Sequence, residues 1–273
     1  MLRPLKVIHE HVIACTVLTL LGLMCLLFSG WALLMHPLLP RRMGTAAGRF
    51  GIMAGFRAFS WALTMTGAYK LDLSSIDSLR DGPPVILAPN HPSLIDALLI
   101  LTRHPNIACV MKGELMGSIF LGAGARLARY IPSDQPRQMI KDAVADLRAG
   151  GVLLLFPEGT RSTRVPLNPL KASVGIIAKQ AGVPVQVAII ETDSPYLGKG
   201  WPLFRRPTLP ITYRVRLGRR FDPPAEVNSF MAALEREFTR ELNGAAQSHW
   251  LGREENSCRL NNYGESSSQS SGR

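Results

Sequence analysis

No feature limits the folding of this chain more than the run from Val12 to Met35, 24 residues without a charged side chain. As a helix it reaches roughly 36 Å, enough to cross the hydrocarbon of a bilayer with some tilt. A cleaved signal peptide would be shorter and would close on small residues, whereas Trp31, Leu33, Leu34 and Met35 end this run. A retained membrane helix is expected. A second apolar stretch, Phe50 to Tyr69, contains Arg57 together with Phe50, Phe56, Phe59, Trp61 and Tyr69. Arginine is costly at mid-membrane, so this stretch reads as an interfacial helix with Trp61 and Tyr69 near the boundary. Arg41, Arg42 and Arg49 form a denser positive flank than Arg3 and Lys6, which favours a cytoplasmic downstream domain; a hairpin that enters and leaves the membrane on one side is the other arrangement open to this sequence.

After Asp72 the pattern changes to short apolar runs alternating with longer amphipathic ones. Val85–Ala88, Ile107–Met111, Val152–Phe156, Val183–Ile190 and Ile211–Leu217 read as strands. Helices are expected over Ser93–Leu101, Gly117–Tyr130, Pro136–Gly150, Ser173–Ala181 and Val227–Asn243. This alternation predicts an α/β fold: a central, largely parallel sheet flanked by helices, preceded by the membrane helix and the interfacial helix. The chain divides into an anchoring region over 1–70, the α/β domain over 71–252 and a disordered, serine- and asparagine-rich tail over 253–273.

A net charge of +11 calls for an anionic partner. No nucleic-acid-binding motif accompanies it, so anionic membrane lipid and phosphate are the expected partners and nucleic acid is not. The cysteines at 15, 25, 109 and 258 show no metal-ligand spacing, and the histidines do not group, so neither a disulfide framework nor a metal site is expected.

Chemistry concentrates in two polar stretches that each come directly after a buried strand. The first is Pro89-Asn90-His91-Pro92-Ser93-Leu94-Ile95-Asp96. Pro92 suits the first position of a helix. Five positions on a regular helix separate two side chains by about 140°. His91 and Asp96 therefore meet only if His91 lies outside the helix and folds back over its first turn. A carboxylate that holds one imidazole nitrogen leaves the other free to accept a proton from a hydroxyl. Read alone, the pair is more often a capping histidine beside a partly solvated aspartate. The second stretch is Phe156-Pro157-Glu158-Gly159-Thr160-Arg161-Ser162, with Lys171 ten residues beyond Arg161. It offers a tight turn, a hydroxyl and two cations able to hold a phosphate.

Together these stretches resemble the lysophosphatidic acid acyltransferase family of glycerolipid acyltransferases. Asn90-His91 with Asp96 is similar to its Asn-His-x4-Asp motif, and Phe156 to Ser162 is similar to its Phe-Pro-Glu-Gly-Thr-Arg-Ser motif. The resemblance covers about Pro84 to Ile190. It implies a membrane-bound enzyme that moves a fatty acyl group from a thioester to the hydroxyl of a lysophospholipid such as 1-acylglycerol-3-phosphate, in phospholipid synthesis. By that resemblance His91 is the general base and Asp96 its orienting partner. Asn90, Glu158, Gly159, Thr160, Arg161 and Lys171 hold the acceptor, with Arg161 on its phosphate. The co-substrate implied is acyl-ACP or acyl-CoA, with no resident cofactor, and the location is a bacterial inner membrane with the catalytic domain cytoplasmic.

Three positions depart from the family pattern. Gln135 occupies or adjoins the place of an acceptor-binding arginine, Ser173 that of a glycine, and Val187 that of a second proline. Gln135 motivates, as an alternative, the same transfer to another acceptor such as a lyso-aminolipid; a non-catalytic lipid-binding membrane protein is the alternative of another class, and the intact His91–Asp96 pair and second stretch speak against it.

Overall fold

The computed structural model describes residues 2–244; the tail expected over 253–273 and the end of the expected α/β domain lie outside them. Two long helices come first, α1 over Leu2–Leu38 and α2 over Arg41–Met65, separated at Pro40. The strands are β1 (Tyr69–Asp72), β2 (Ile86–Pro89), β3 (Ile107–Met111), β4 (Ile131–Pro132), β5 (Val152–Leu154), β6 (Val185–Thr192) and β7 (Ile211–Phe221). Between them run α3 (Asp96–Leu101), α4 (Gly122–Leu127), α5 (Pro136–Arg148) and α6 (Ser173–Ala181), and α7 occupies 227–244.

The strands form one seven-stranded sheet in the order β1-β7-β6-β2-β5-β3-β4. Every pairing is parallel except β6 with β7. Alternate residues of the central strands face opposite sides. Leu87, Leu154 and Ile190 join a core with α2 and α3, whereas Ile86, Leu153 and Ile189 join one with α5, α6 and α7. A helical layer on each face explains why the central strands read as unbroken apolar runs. Each fully buried aliphatic side chain there contributes about 1.5–3 kcal/mol.

The α/β alternation is as expected, and the differences have local causes. The first helix is longer than the uncharged run, because the residues before Val12 continue the same turns. It runs alongside the domain. Glu10 is buried, pairs with Arg206 and accepts the Leu209 N–H at 3.3 Å. Ser29, nineteen residues later, donates to the Phe120 carbonyl at 2.6 Å. Those two attachments lie roughly 28 Å apart along the axis. Gly51 and Gly124 make the close approach possible, for a Cβ at either would sit 2.4 or 2.8 Å from the Phe28 ring.

Tyr69 is not a boundary aromatic: it opens β1 and is buried in the core, whereas Trp61 is exposed. Arg49 is not a flanking charge either. It is 4% exposed, donates to the Ala128 carbonyl at 3.1 Å and to Asn106 Oδ1 at 2.7 Å, and is paired with Asp146. Of the positive flank expected to set the orientation, Arg41 and Arg42 remain. The helices near the site are shorter than expected. The one expected from Ser93 begins at Asp96, so Pro92 stands in the preceding turn and not at the first helical position. The one expected over Gly117–Tyr130 is α4 alone, preceded by a 3-10 turn over Gly113–Gly117.

Candidate active site

β2, β5 and β6 are parallel neighbours, so their C-terminal ends share one edge of the sheet. Asn90-His91 leaves β2 there, and Pro157-Glu158 comes just after β5. Ligands in open α/β sheets bind outside these ends.

His91 Nδ1 lies 2.9 Å from Asp96 Oδ2. Opposite a carboxylate, Nδ1 carries the proton, which leaves Nε2 as an acceptor. Asp96 is completely buried at the start of α3, and the same Oδ2 accepts the Ser93 N–H at 2.7 Å. The turn Ser93-Leu94-Ile95 thus replaces the expected first helical turn and lets two residues five apart meet. Phe156 stacks on the imidazole, with ring centroids 3.9 Å apart. Burial pushes the Asp96 carboxyl up, while hydrogen bonding and charge from His91, the Ser93 N–H and the charge of Arg161 pull the other way. Behind the pair, Tyr213 is fully buried; burial pushes its hydroxyl up and the neighbouring Asp96 charge adds to this, so it stays a neutral phenol.

Two of the residues expected to hold the acceptor, Asn90 and Glu158, are buried. Asn90 is 5% exposed and exchanges two hydrogen bonds with Ile190: its Nδ2 donates to the carbonyl at 3.0 Å and its Oδ1 accepts the N–H at 2.7 Å. It clamps β2 to β6. Glu158 is 3% exposed. Its Oε1 accepts the His91 N–H at 3.1 Å and the Ser162 hydroxyl at 2.6 Å, and its Oε2 accepts the Asn168 N–H at 2.9 Å. That carboxylate fastens the β5 turn to the histidine's own backbone. A carboxylate facing a phosphate would also repel it, so the inward position agrees with electrostatics.

Gly159, Thr160, Arg161 and Lys171 remain on the open side, exposed or half-buried. Gly159 has φ +66°, and a Cβ there would meet the Lys171 ammonium at 2.6 Å. The glycine therefore provides both the turn and the space for the lysine. Arg161 Nη1 donates to the carbonyls of Leu197 and Gly198 at 2.8 and 2.9 Å, and the Ser162 N–H donates to the His91 carbonyl at 2.7 Å. The two motif loops and the 193–210 loop are thereby stitched together. Motif reading missed the residues that do the stitching. Ser93 donates to the Tyr196 carbonyl at 2.9 Å, and Asn168 accepts from Thr163 and donates to the Arg161 carbonyl at 3.1 Å. Only the capacity of serine and asparagine to close turns marks them in the sequence.

Residues 70–191 match the Acyltransferase family model, a segment that begins in β1 and ends in β6. The 1-acyl-sn-glycerol-3-phosphate acyltransferase of Pseudomonas aeruginosa is 27% identical over 189 residues, 67% of this chain and 70% of that protein. The 70–191 segment is an acyltransferase domain, similar to those of 1-acyl-sn-glycerol-3-phosphate acyltransferases. A chloroplastic 1-acyl-sn-glycerol-3-phosphate acyltransferase of Brassica napus is also 27% identical over 137 residues, 48% of this chain and 40% of that protein, so the chain spans less than half of that relative. The crystal structure of the 1-acyl-sn-glycerophosphate acyltransferase PlsC from Thermotoga maritima shares the fold. Its TM-score is 0.65 at 20% identity, covering 88% of this chain and 97% of that one.

Proposed function

We propose that this acyltransferase moves a fatty acyl group from a thioester to the free hydroxyl of a lysophospholipid, with 1-acyl-sn-glycerol-3-phosphate as the principal acceptor. The observation that carries the reading is the His91–Asp96 hydrogen bond at the open sheet edge. With Nδ1–H held by Asp96, Nε2 takes the proton of the acceptor hydroxyl as its oxygen attacks the thioester carbonyl. The tetrahedral intermediate collapses, the C–S bond breaks, and the imidazolium returns the proton to the leaving thiolate. Asp96 stabilises the imidazolium formed in between. The acceptor is itself the nucleophile, so no acyl-enzyme is required. Arg161 and Lys171 supply positive charge for the phosphate of the acceptor, and acyl-ACP or acyl-CoA is the donor.

The setting proposed is a membrane surface. α1 is long and apolar enough to span, yet it is fastened to the domain at Glu10 and at Ser29. It exposes Leu20, Leu23, Leu26, Leu27, Leu33 and Leu34 on its free side. A helix tied along a domain in this way seats that domain against lipid and brings the sheet edge to a substrate dissolved in it.

Gln135 is exposed where β4 passes into α5, and it supports a second reading in which the acceptor bears a different headgroup. The deciding experiment offers the purified chain in vesicles a labelled acyl thioester with 1-acylglycerol-3-phosphate or a lyso-aminolipid. Faster transfer to the phosphate acceptor is expected; transfer only to the aminolipid overturns that choice of acceptor.

A further inference from the structure

The segment Trp201-Pro202-Leu203-Phe204-Arg205-Arg206 has no part in the acyl-transfer chemistry, and its form is specific. The Arg205 N–H donates to the Pro202 carbonyl at 2.9 Å, and Trp201 Nε1 donates to the Arg205 carbonyl at 3.0 Å. The Arg205 guanidinium lies over the Trp201 ring, 4.7 Å from its centroid. Arg206 is paired with Glu10 of α1. The turn is therefore held on both sides, and its two central side chains point away from the protein: Leu203 is 46% exposed and Phe204 71%. A turn closed in this way cannot fold the two side chains back into a core.

We infer that this turn is a second membrane contact, in which Leu203 and Phe204 enter the acyl–headgroup boundary of an anionic lipid surface while Lys199 and Arg205 rest on its phosphates. The inference rests on the proposed membrane setting and extends it from the helices to the catalytic domain. Charge complementarity selects the occupant. Between Asp193 and Asp222 the chain has no acidic residue, whereas Lys199, Arg205 and Arg206 surround the turn; cations beside an exposed aromatic fit anionic headgroups. Continuity selects it as well. The pairing with Glu10 sets the turn beside the first turns of α1, where Leu5, Ile8 and Val12 are all more than half exposed.

Lipid contact here bears on the site. The turn is continuous with Leu197 and Gly198, whose carbonyls receive Arg161, and the Leu197 carbonyl also receives the Leu94 N–H at 3.0 Å. Insertion of Phe204 therefore fixes the depth of the loop that carries Arg161 and of the turn just beyond His91.

The test is a fluorescent depth measurement on the full chain in vesicles of phosphatidylethanolamine and phosphatidylglycerol. Cys15, Cys25 and Cys258 are replaced by alanine. A polarity-sensitive NBD label is then attached to Phe204→Cys, to Leu27→Cys on the free side of α1, or to Glu235→Cys on α7, across the sheet. A blue shift and quenching by doxyl-labelled lipid are expected at 204 and at 27, with neither at 235. Less quenching is also expected at 204 when phosphatidylcholine replaces the anionic lipid. If 27 is quenched and 204 remains water-like, the turn is not a membrane contact, though the helices are. Should both remain water-like, the membrane setting falls together with the inference. A blue shift at 204 that lipid quencher does not reach shows a protein neighbour, such as a second copy, and also overturns it.

Discussion

Glu158 Oε1 accepts the backbone N–H of His91 at 3.1 Å, so the carboxylate of the second motif holds the main chain of the first. Losing it leaves the Ser162 hydroxyl and the N–H groups of His91 and Asn168 without their acceptor inside the protein. Each unmet buried group costs about 1–3 kcal/mol. Glu158→Ala should therefore lower the unfolding midpoint and kcat together. A raised KM with unchanged stability would instead assign Glu158 to the acceptor.

Arg161 has the opposite expectation. Nη1 is committed to Leu197 and Gly198, and the guanidinium is half-buried at the open edge. Arg161→Lys retains a charge but loses the fork that grips the loop carbonyls. Steady-state kinetics should show KM for a phosphorylated acceptor rising about tenfold or more, with a much smaller change for a phosphate-free acceptor, as expected for lost anion binding in the ground state.

Arg49 links α2 to the domain through Ala128, Asn106 and Asp146. Removing one member of a buried ion pair strands the other, at a cost of about 3 kcal/mol. Arg49→Met should reduce stability by that order in chemical denaturation. Arg57→Met, an exposed arginine of the same helix, should change it by less than about 0.5 kcal/mol.

His104 gives the fold an acid-sensitive point. Its Nδ1 accepts the Asn106 N–H at 3.0 Å, which requires that nitrogen to be unprotonated. Burial, then the charge of Arg80, lowers its pKa below 6.5, while carbonyls of Arg80 and Leu79 oppose this. As pH falls through about 6.5, the unfolded chain takes up the proton first and stability is lost, until the lower folded value is passed. Thermal midpoints measured between about pH 7 and 5 should fall more steeply for the parent than for His104→Gln.

Much of the site was legible because its chemistry is local in sequence. His91, Asp96, Gly159 and Arg161 lie in two short stretches behind apolar runs, and a run buried on both faces announces a parallel strand. What stayed hidden depends on partners distant in the chain. β1 is four residues at the end of an apolar helix, and its pairing with β7 brings Tyr69 to Ile211 across the fold. Arg49 resembles any flanking charge until Asp146 is placed beside it. Asn90 and Glu158 are polar motif residues, and only the fold reveals that they are buried and hydrogen-bonded within the protein. Pro92 favoured an early helix start, but Asp96 could hold both His91 and the Ser93 N–H only if an irregular turn came first.

The central claim is that His91, oriented by Asp96, removes the proton of the acceptor. It is tested most directly by single-turnover acyl transfer in vesicles with the His91→Ala chain beside the parent. The account predicts a protein that remains folded and vesicle-bound, with the chemical step slowed by about 10²–10⁴-fold, the range of a lost general base. A chemical step within about threefold of the parent would contradict it.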